Sequence, residues 1–389
     1  MKPRILFILH LPPPVHGAAM VGKYIHDSAS VNSVFDCHYI NLTTASSLED
    51  IGQMGWHKVK VFFHLLQDIR KLVKELKPDL VYVTPNAKGG PFYKDFVVVQ
   101  VLKSLGCKIV VHYHNKGVST RQNRWLDNWL YRRFFKNLKV ILLADALYPD
   151  MQKYVDSKDV YICPNGIPVT EEIKRVHEDN SVPRLLFLSN LLVDKGVLVL
   201  LDALRSLKDE GYSFVCDFVG GETADIDAGR FEEEVKRRGL SDLAFYKGKK
   251  YGTDKAEEFE SADIFVLPSF NEAFPLVNLE AMSYGLPIVS TSVGGIVDIV
   301  EDGENGLICD KEDATSLASQ IKTLLLNKEL RERMGERGVQ MFHERFTLEV
   351  FEKRFCEVLR DIVDKVDERD SRQITIKRST RSTIGLLES

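Results

Sequence analysis

The stretch Asn271–Gly295, "NEAFPLVNLEAMSYGLPIVSTSVGG", holds two carboxylates, Glu272 and Glu280, on either side of what reads as a helix start. Pro275 stands where a first helical residue is expected, and Gly285 and Pro287 mark the end. The first turn of such a helix, here Phe274, Pro275, Leu276 and Val277, has backbone N–H groups with no partner inside the helix. It is therefore a ready phosphate site. Glu280 falls roughly 7–8 Å further along, from the rise per helical residue. A carboxylate accepts hydrogen bonds from both hydroxyls of a cis-diol. A diphosphate at the helix start would thus place a ribose beside Glu280 and its second substituent beside Glu272. The spacing alone leaves another reading open, in which Glu272 only complements the helix dipole and Glu280 faces solvent.

The elements that would position these residues are short apolar runs alternating with segments of helical length. In the first half the runs are "RILFILH", "DCHYINL", "DLVYVTP", "KIVVHYH", "KVILLA" and "DVYICP", with helices expected over Lys58–Leu76 and Asn123–Lys136. In the second they are "RLLFLSN", "SFVCDFVG", "LAFYKG", "DIFVLPS", "PIVSTS" and "GLICD", with helices over Gly196–Leu207 and Glu232–Arg238. This is the pattern of doubly wound parallel sheets. With 389 residues the chain exceeds one ordinary core, so two Rossmann-like domains are expected, 1–165 and 184–365, facing a central cleft. Turn residues without a sustained period make 166–183 a linker. Glu312 to about Lys365 reads as helical, and 366–389 reads as a polar tail that is a candidate for disorder. Ligands of such sheets sit beyond the carboxyl ends of the strands, near the point where strand order reverses. The opening stretch begins at such an end.

Composition narrows the class. Six scattered cysteines, none in a C-x-x-C pair, argue against a disulfide framework or a structural zinc site and suit a reducing, cytoplasmic compartment. No apolar run approaches a membrane span, and "RILFILHL" running into "PPP" reads as a buried first strand rather than a signal peptide. The charge is uneven: residues 1–165 carry a net +9 and the remainder a net −13. A basic first half suggests an anionic partner there, a membrane surface or a charged substrate, and no nucleic acid is expected.

The order of several segments closely resembles the retaining glycosyltransferases of family 4, which have the GT-B fold. "E-x7-E" is followed by "AMSYGLPIV" and "GG". "SNLLVDKG" looks like the family's phosphate-binding segment, "FVGGE" (with Gly220) like its next strand end, "PNGI" like its inter-domain entry, and "EDGENGLICD" like the strand after its donor site. The resemblance covers nearly the whole chain. It implies that Glu280 binds the nucleotide ribose, that Glu272 holds the donor sugar with backbone contacts from Phe274 to Val277, and that Lys195 neutralises the leaving diphosphate. Gly17, in "LPPPVHGAAMVG", looks like part of the family's glycine loop, though His16 and Ala18 flank it and the usual paired glycine is missing. His114 matches the family histidine near the donor sugar. By itself, His112 and His114 on one strand face is more often a hydrogen-bonded surface pair than a metal site.

One position departs from the family pattern. Asn190 stands where the family commonly has arginine, and an amide carries no charge. Either donor binding is weaker or another cation compensates, with Lys247, Lys249 and Lys250 as candidates. "DID", Asp225–Asp227, precedes a helix and reads as a cap rather than a metal motif. No protein-bound metal or other cofactor is implied; the nucleotide-diphosphate sugar is a co-substrate.

The expected function is therefore transfer of a sugar from a nucleotide-diphosphate donor to a glycan or lipid-linked acceptor, in bacterial surface polysaccharide synthesis, with front-face attack retaining the anomeric configuration. A GT-B-fold nucleotide-sugar epimerase and a non-catalytic nucleotide-sugar-binding subunit are the alternatives. His57–Lys77 and Arg121–Lys139 each combine six Lys or Arg with aromatic and aliphatic residues. They are candidates for docking on the anionic inner face of the cell membrane, unless their apolar residues are consumed by their own core.

Overall fold

The computed structural model describes residues 2–43, 56–170 and 182–365, and the side chains of 56–59 are not among those described. Most of the expected linker (171–181) and the polar tail (366–389) therefore lie outside the described residues. The chain divides into two compact units. The first draws on the described residues of 1–142, 148–163 and 352–389, and the second on those of 143–147 and 164–351.

All twelve apolar runs form strands. In the first unit these are β1 (Arg4–Leu9), β2 (Asp36–Asn41), β3 (Leu80–Val83), β4 (Ile109–His112), β5 (Lys139–Leu142) and β6 (Val160–Ile162). They make one parallel sheet in the order β2-β1-β3-β4-β5-β6. The second unit holds β7 (Arg184–Leu188), β8 (Val215–Val219), β9 (Ala244–Tyr246), β10 (Ile264–Leu267), β11 (Ile288–Thr291) and β12 (Gly306–Cys309). Their order is β12-β11-β10-β7-β8-β9, again all parallel. Strands covered by helices on both faces must be apolar on both faces, which is why β3, β4 and β10 are buried throughout and β1 and β7 are buried after their first residue, an arginine. This is the doubly wound α/β architecture expected from the alternation.

Helix boundaries move for local reasons. The helix expected over Glu232–Arg238 starts earlier, at Ala228, because the Asp227 side chain accepts from the Arg230 N–H at 2.7 Å and caps it. The helix of the opening stretch is Leu276–Ser283, one residue later than expected. Pro275 keeps an extended ψ of 115° and is the N-cap rather than the first helical residue. The helix ends as its punctuation requires, with Gly285 at φ +64° and its N–H donated to the Met282 carbonyl at 2.8 Å.

The C-terminal helices correct the expected domain boundary. Ala314–Leu326 and Lys328–Arg345 belong to the second unit, but the helix 348–365 belongs to the first from residue 352 onward. Phe355 is fully buried there, with ring centroids 5.4 Å from Tyr82, 6.3 Å from His112 and 6.4 Å from Phe7. A chain-order reading assigns a terminal helix to the domain it follows, whereas this one completes the core of the domain that began the chain. Truncating Phe355 to alanine should therefore cost about 3–5 kcal/mol, the usual loss for a buried aromatic. Urea denaturation followed by a probe in the first unit checks this, and a loss below about 1 kcal/mol would contradict the packing.

Candidate active site

In the second unit, strand order reverses between β7 and β10, and the loops leaving their carboxyl ends are stitched together. The Asp194 carbonyl accepts from Phe270 N–H at 2.7 Å and from Ser269 Oγ at 3.1 Å. Asp194 lies in the short 3-10 turn Val193–Lys195 that follows β7. The stitching carries Lys195 to Glu272, and the ammonium donates to Oε1 although 77 residues separate them in sequence. The two side chains are 20% and 13% exposed, so the pair is shielded but reachable. Gly294 clamps the same loop. Its φ of +59° suits glycine, and a Cβ there would overlap the Glu272 carbonyl. Gly295 N–H adds a bond to the Ala273 carbonyl at 2.7 Å.

Glu280 has its own lysine. Lys255, from the helix Gly252–Glu260, donates to both carboxylate oxygens at 2.6 and 2.7 Å. Sequence reasoning missed Lys255, because no spacing links that helix to the one at 276–283 and only the tertiary fold brings them together. The carboxylates thus flank one helix end as expected, each oriented by a separate cation. Between them, Phe274 is buried with its ring 6.0 Å from that of Phe346, and Pro275 is buried too. Leu276 and Val277 are half-buried at the first turn.

The neighbouring loops complete this edge. The Asn190 Oδ1 after β7 accepts from Gly221 N–H at 3.1 Å, and a Cβ on Gly220 would overlap the Ser189 carbonyl. Both glycines after β8 therefore lie tight against the β7 loop. Of the candidate cations, Lys247 turns away, to Asp217 Oδ2 at 3.4 Å and Glu258 Oε2 at 3.1 Å.

Gly17 and His114 belong to the first unit, whose strand order reverses between β1 and β3. His10, just past β1, bonds Thr84 Oγ1, just past β3, through its N–H (3.3 Å) and through Nδ1 (3.2 Å). His16 caps the helix Gly17–Asp27, its Nδ1 accepting from Ala19 N–H at 3.3 Å. A Cβ at Gly17 would meet no described atom within 4 Å. The His112–His114 pair is not a surface feature. His112 is fully buried and bonds the Tyr82 hydroxyl at 2.8 Å, and the two rings lie 4.3 Å apart. β4 ends at His112, so His114 sits just past the strand end. Neither of its buried ring nitrogens has a hydrogen-bond partner among the described residues. Burial pushes His114 down to about 3, with the charge of His16 adding to the effect. Burial likewise pushes His10 down to about 3, helped by Lys94, His16 and His114. This edge therefore carries neutral imidazoles at physiological pH.

Comparison with known proteins agrees with the fold. Residues 168–341, which include Lys195, Glu272 and Glu280, match the family described as glycosyl transferases group 1. The chain is similar to a sulfoquinovosyl transferase of Arabidopsis thaliana, 24% identical over 72% of this chain and 56% of that protein. It is also similar to a capsular polysaccharide biosynthesis glycosyltransferase of Staphylococcus aureus, 24% identical over 46% of each. The chain thus spans about half the length of these curated relatives. Among solved structures, Anabaena HepE in complex with UDP superposes with a TM-score of 0.71 at 17% identity, over 92% of this chain and all of that one. That likeness supports the GT-B fold expected from the sequence.

The depressed histidines predict acid sensitivity with a definite sign. An unfolded imidazole takes its proton near pH 6.5, whereas His10 and His114 in the fold take theirs only near 3. Their contribution is whole above about pH 6.5 and is lost as pH falls toward 3. The loss between about pH 7 and pH 5 is on the order of 2 kcal/mol for each. In the double variant His10→Asn, His114→Asn, the urea midpoint should depend less on pH across that window. An equally steep fall would show that other groups carry the acid response.

Proposed function

We propose that this protein is a retaining glycosyltransferase that moves a sugar from a nucleotide-diphosphate sugar to a glycan or lipid-linked acceptor, in bacterial surface polysaccharide synthesis. The observation that carries the reading is the Lys195–Glu272 pair at the reversal point of the second sheet, beside the first turn of the helix that holds Glu280. The diphosphate occupies that turn, the ribose hydroxyls bond Glu280, and the sugar lies toward Glu272. Lys255 fixes the plane of the Glu280 carboxylate and leaves lone pairs on both oxygens for the diol. Asn190, Gly220 and the backbone of Phe274–Val277 complete the donor side. A structural neighbour that holds UDP supports a nucleotide donor.

In this reading the bond from the anomeric carbon to the diphosphate oxygen breaks, with its electron pair staying on phosphate. The acceptor oxygen attacks from the same face, and its proton passes to the departing phosphate. Negative charge grows on the diphosphate, where Lys195 and the helix N-terminus meet it, so no protein-bound metal is required. Within the first unit, His114 and Gly17 are the proposed acceptor-side residues.

The two carboxylates separate under test. Glu280→Ala should weaken binding of free nucleoside diphosphate, whereas Glu272→Ala should weaken binding of the nucleotide sugar more than that of the free diphosphate. Each loss should be about tenfold or more, as for a hydrogen bond to a charged group. Calorimetry with both ligands decides. If the variants share one ligand preference, the assignment of one carboxylate to each side of the diphosphate is wrong. Product analysis on the wild type then distinguishes glycosyl transfer from an isomerised donor or no turnover.

The first unit also offers a surface for an anionic membrane. The helix Trp125–Phe135 buries Leu130, Tyr131, Phe134 and Phe135 but leaves Trp125 81%, Trp129 50% and Leu126 43% exposed. Arg124, Arg132 and Arg133 are exposed on the same helix or at its start, with the Arg133 guanidinium 5.3 Å from the Trp129 ring. The helix Trp56–Leu76 contributes less, since Leu65, Leu66, Ile69 and Val73 are spent in the core and Phe63 stays exposed. Among the described residues no helix is long and apolar enough to cross a membrane. The proposed attachment is therefore peripheral, on the cytoplasmic face. Co-sedimentation with phosphatidylglycerol vesicles should occur at low salt, weaken at high salt, and drop severalfold in the variant Trp125→Ser, Trp129→Ser. No binding at low salt would refute docking and favour a soluble acceptor.

A further inference from the structure

Around the second unit's carboxyl edge the lysines are not equivalent. Lys195 is engaged with Glu272, Lys255 with Glu280, and Lys247 with Asp217 and Glu258. Lys249 differs: it is exposed, and among the described residues it makes no ion pair. Its position is nevertheless fixed from both ends. At the backbone, Gly220 N–H donates to the Gly248 carbonyl at 2.9 Å, and Tyr246 OH donates to the Gly220 carbonyl at 2.9 Å. At the side chain, Lys249 lies across Gly221. A Cβ on that glycine would overlap Lys249 Cε and stand 3.3 Å from its Nζ and 2.9 Å from Asn190 Oδ1. The β7 loop is tied to the same glycine, since Leu191 N–H donates to the Gly221 carbonyl at 2.8 Å and Gly221 N–H donates to Asn190.

The loops after β7, β8 and β9 therefore converge where a lysine stem crosses a bare glycine, within the loop system that carries Lys195. An uncommitted ammonium held at such a place has a field to offer an incoming anion. Lys195, by contrast, must divide its hydrogen bonds with Glu272. We propose that Lys249 is a phosphate-binding residue of the donor site, supplying beside the uncharged Asn190 the second cation that a diphosphate needs. Gly221 serves this arrangement by leaving room for the lysine stem. The inference rests on the donor-site reading given above.

The test uses the full chain and calorimetry with UDP, GDP, ADP and dTDP. For whichever of these the wild type binds, Lys249→Ala and Lys249→Gln should weaken binding about tenfold, and Lys249→Arg should keep it within about threefold. The slope of log Kd against log salt should be shallower in Lys249→Ala, since one fewer charge meets the anion. The unliganded Tm should not move, which a merely structural role would not allow. Gly221→Ala should weaken binding in the wild-type background and cost less in Lys249→Ala, where its Cβ meets Asn190 Oδ1 but no lysine stem. Unchanged affinity in Lys249→Ala, or binding by Lys249→Gln equal to that of the wild type, would overturn the role of Lys249 and leave the donor-site reading standing. Failure of the wild type to bind any of the four diphosphates would instead overturn the donor-site reading, and this inference with it.

Discussion

The all-parallel pairing of each sheet is the constraint on which the rest depends. Parallel strands all deliver their carboxyl ends to one edge, and every connection must travel back across a face as a helix. Where strand order reverses, the two adjacent loops lead to helices on opposite faces and leave a crevice between them. Lys195 and Glu272 come from the two loops at that point in the second unit, and His10 and Thr84 from the corresponding loops of the first. The chemistry is concentrated there because the crevice between the diverging loops leaves room for a ligand.

The second unit's edge is organised by charge. Each acidic side chain that faces the helix start carries a lysine, so the carboxylates are held in fixed orientations without ligand. Preorganised charge of this kind strengthens interactions with a ligand whose charge develops during reaction. The first unit's edge is organised in the opposite way. Its imidazoles are buried and neutral, with burial the largest cause in each case, and hydrogen bonds from Thr84 and Tyr82 hold two of the rings. Neutral imidazoles can exchange hydrogen bonds with hydroxyl groups, whereas a charged edge attracts phosphate.

Close backbone approach is the third element. Gly220, Gly221 and Gly294 stand where a Cβ would strike a carbonyl or a functional side chain. Their absent side chains let the loop after β8 approach that after β7, and the loop after β11 approach that after β10. The sequence presents these as "GG" pairs, which mark turns, but the atoms they make room for appear only once the loops are folded.

The strands were legible because buried parallel strands must be apolar on both faces, and all twelve runs became strands. The short helix at Leu276–Ser283 was legible to within one residue from its proline and glycine. The placement of Glu272 and Glu280 about its start followed from helix geometry alone, and the order of motifs pointed to the family that residues 168–341 match. Tertiary structure decided what no local pattern encodes. Lys195 meets Glu272 across 77 residues because strand order, not chain order, makes the loops after β7 and β10 neighbours, and Lys255, on the helix before β10, meets Glu280 on the helix after it. Lys247 pairs with Asp217 and Glu258 while Lys249, two residues on and past Gly248 at φ +70°, crosses Gly221. The final helix joins the unit that began the chain, where Phe355 packs against Phe7, Tyr82 and His112. Sequence fixes which residues prefer strand, helix or turn through forces acting over a few residues. Which charges meet depends on packing between segments far apart in the chain, and that exists only in the folded molecule.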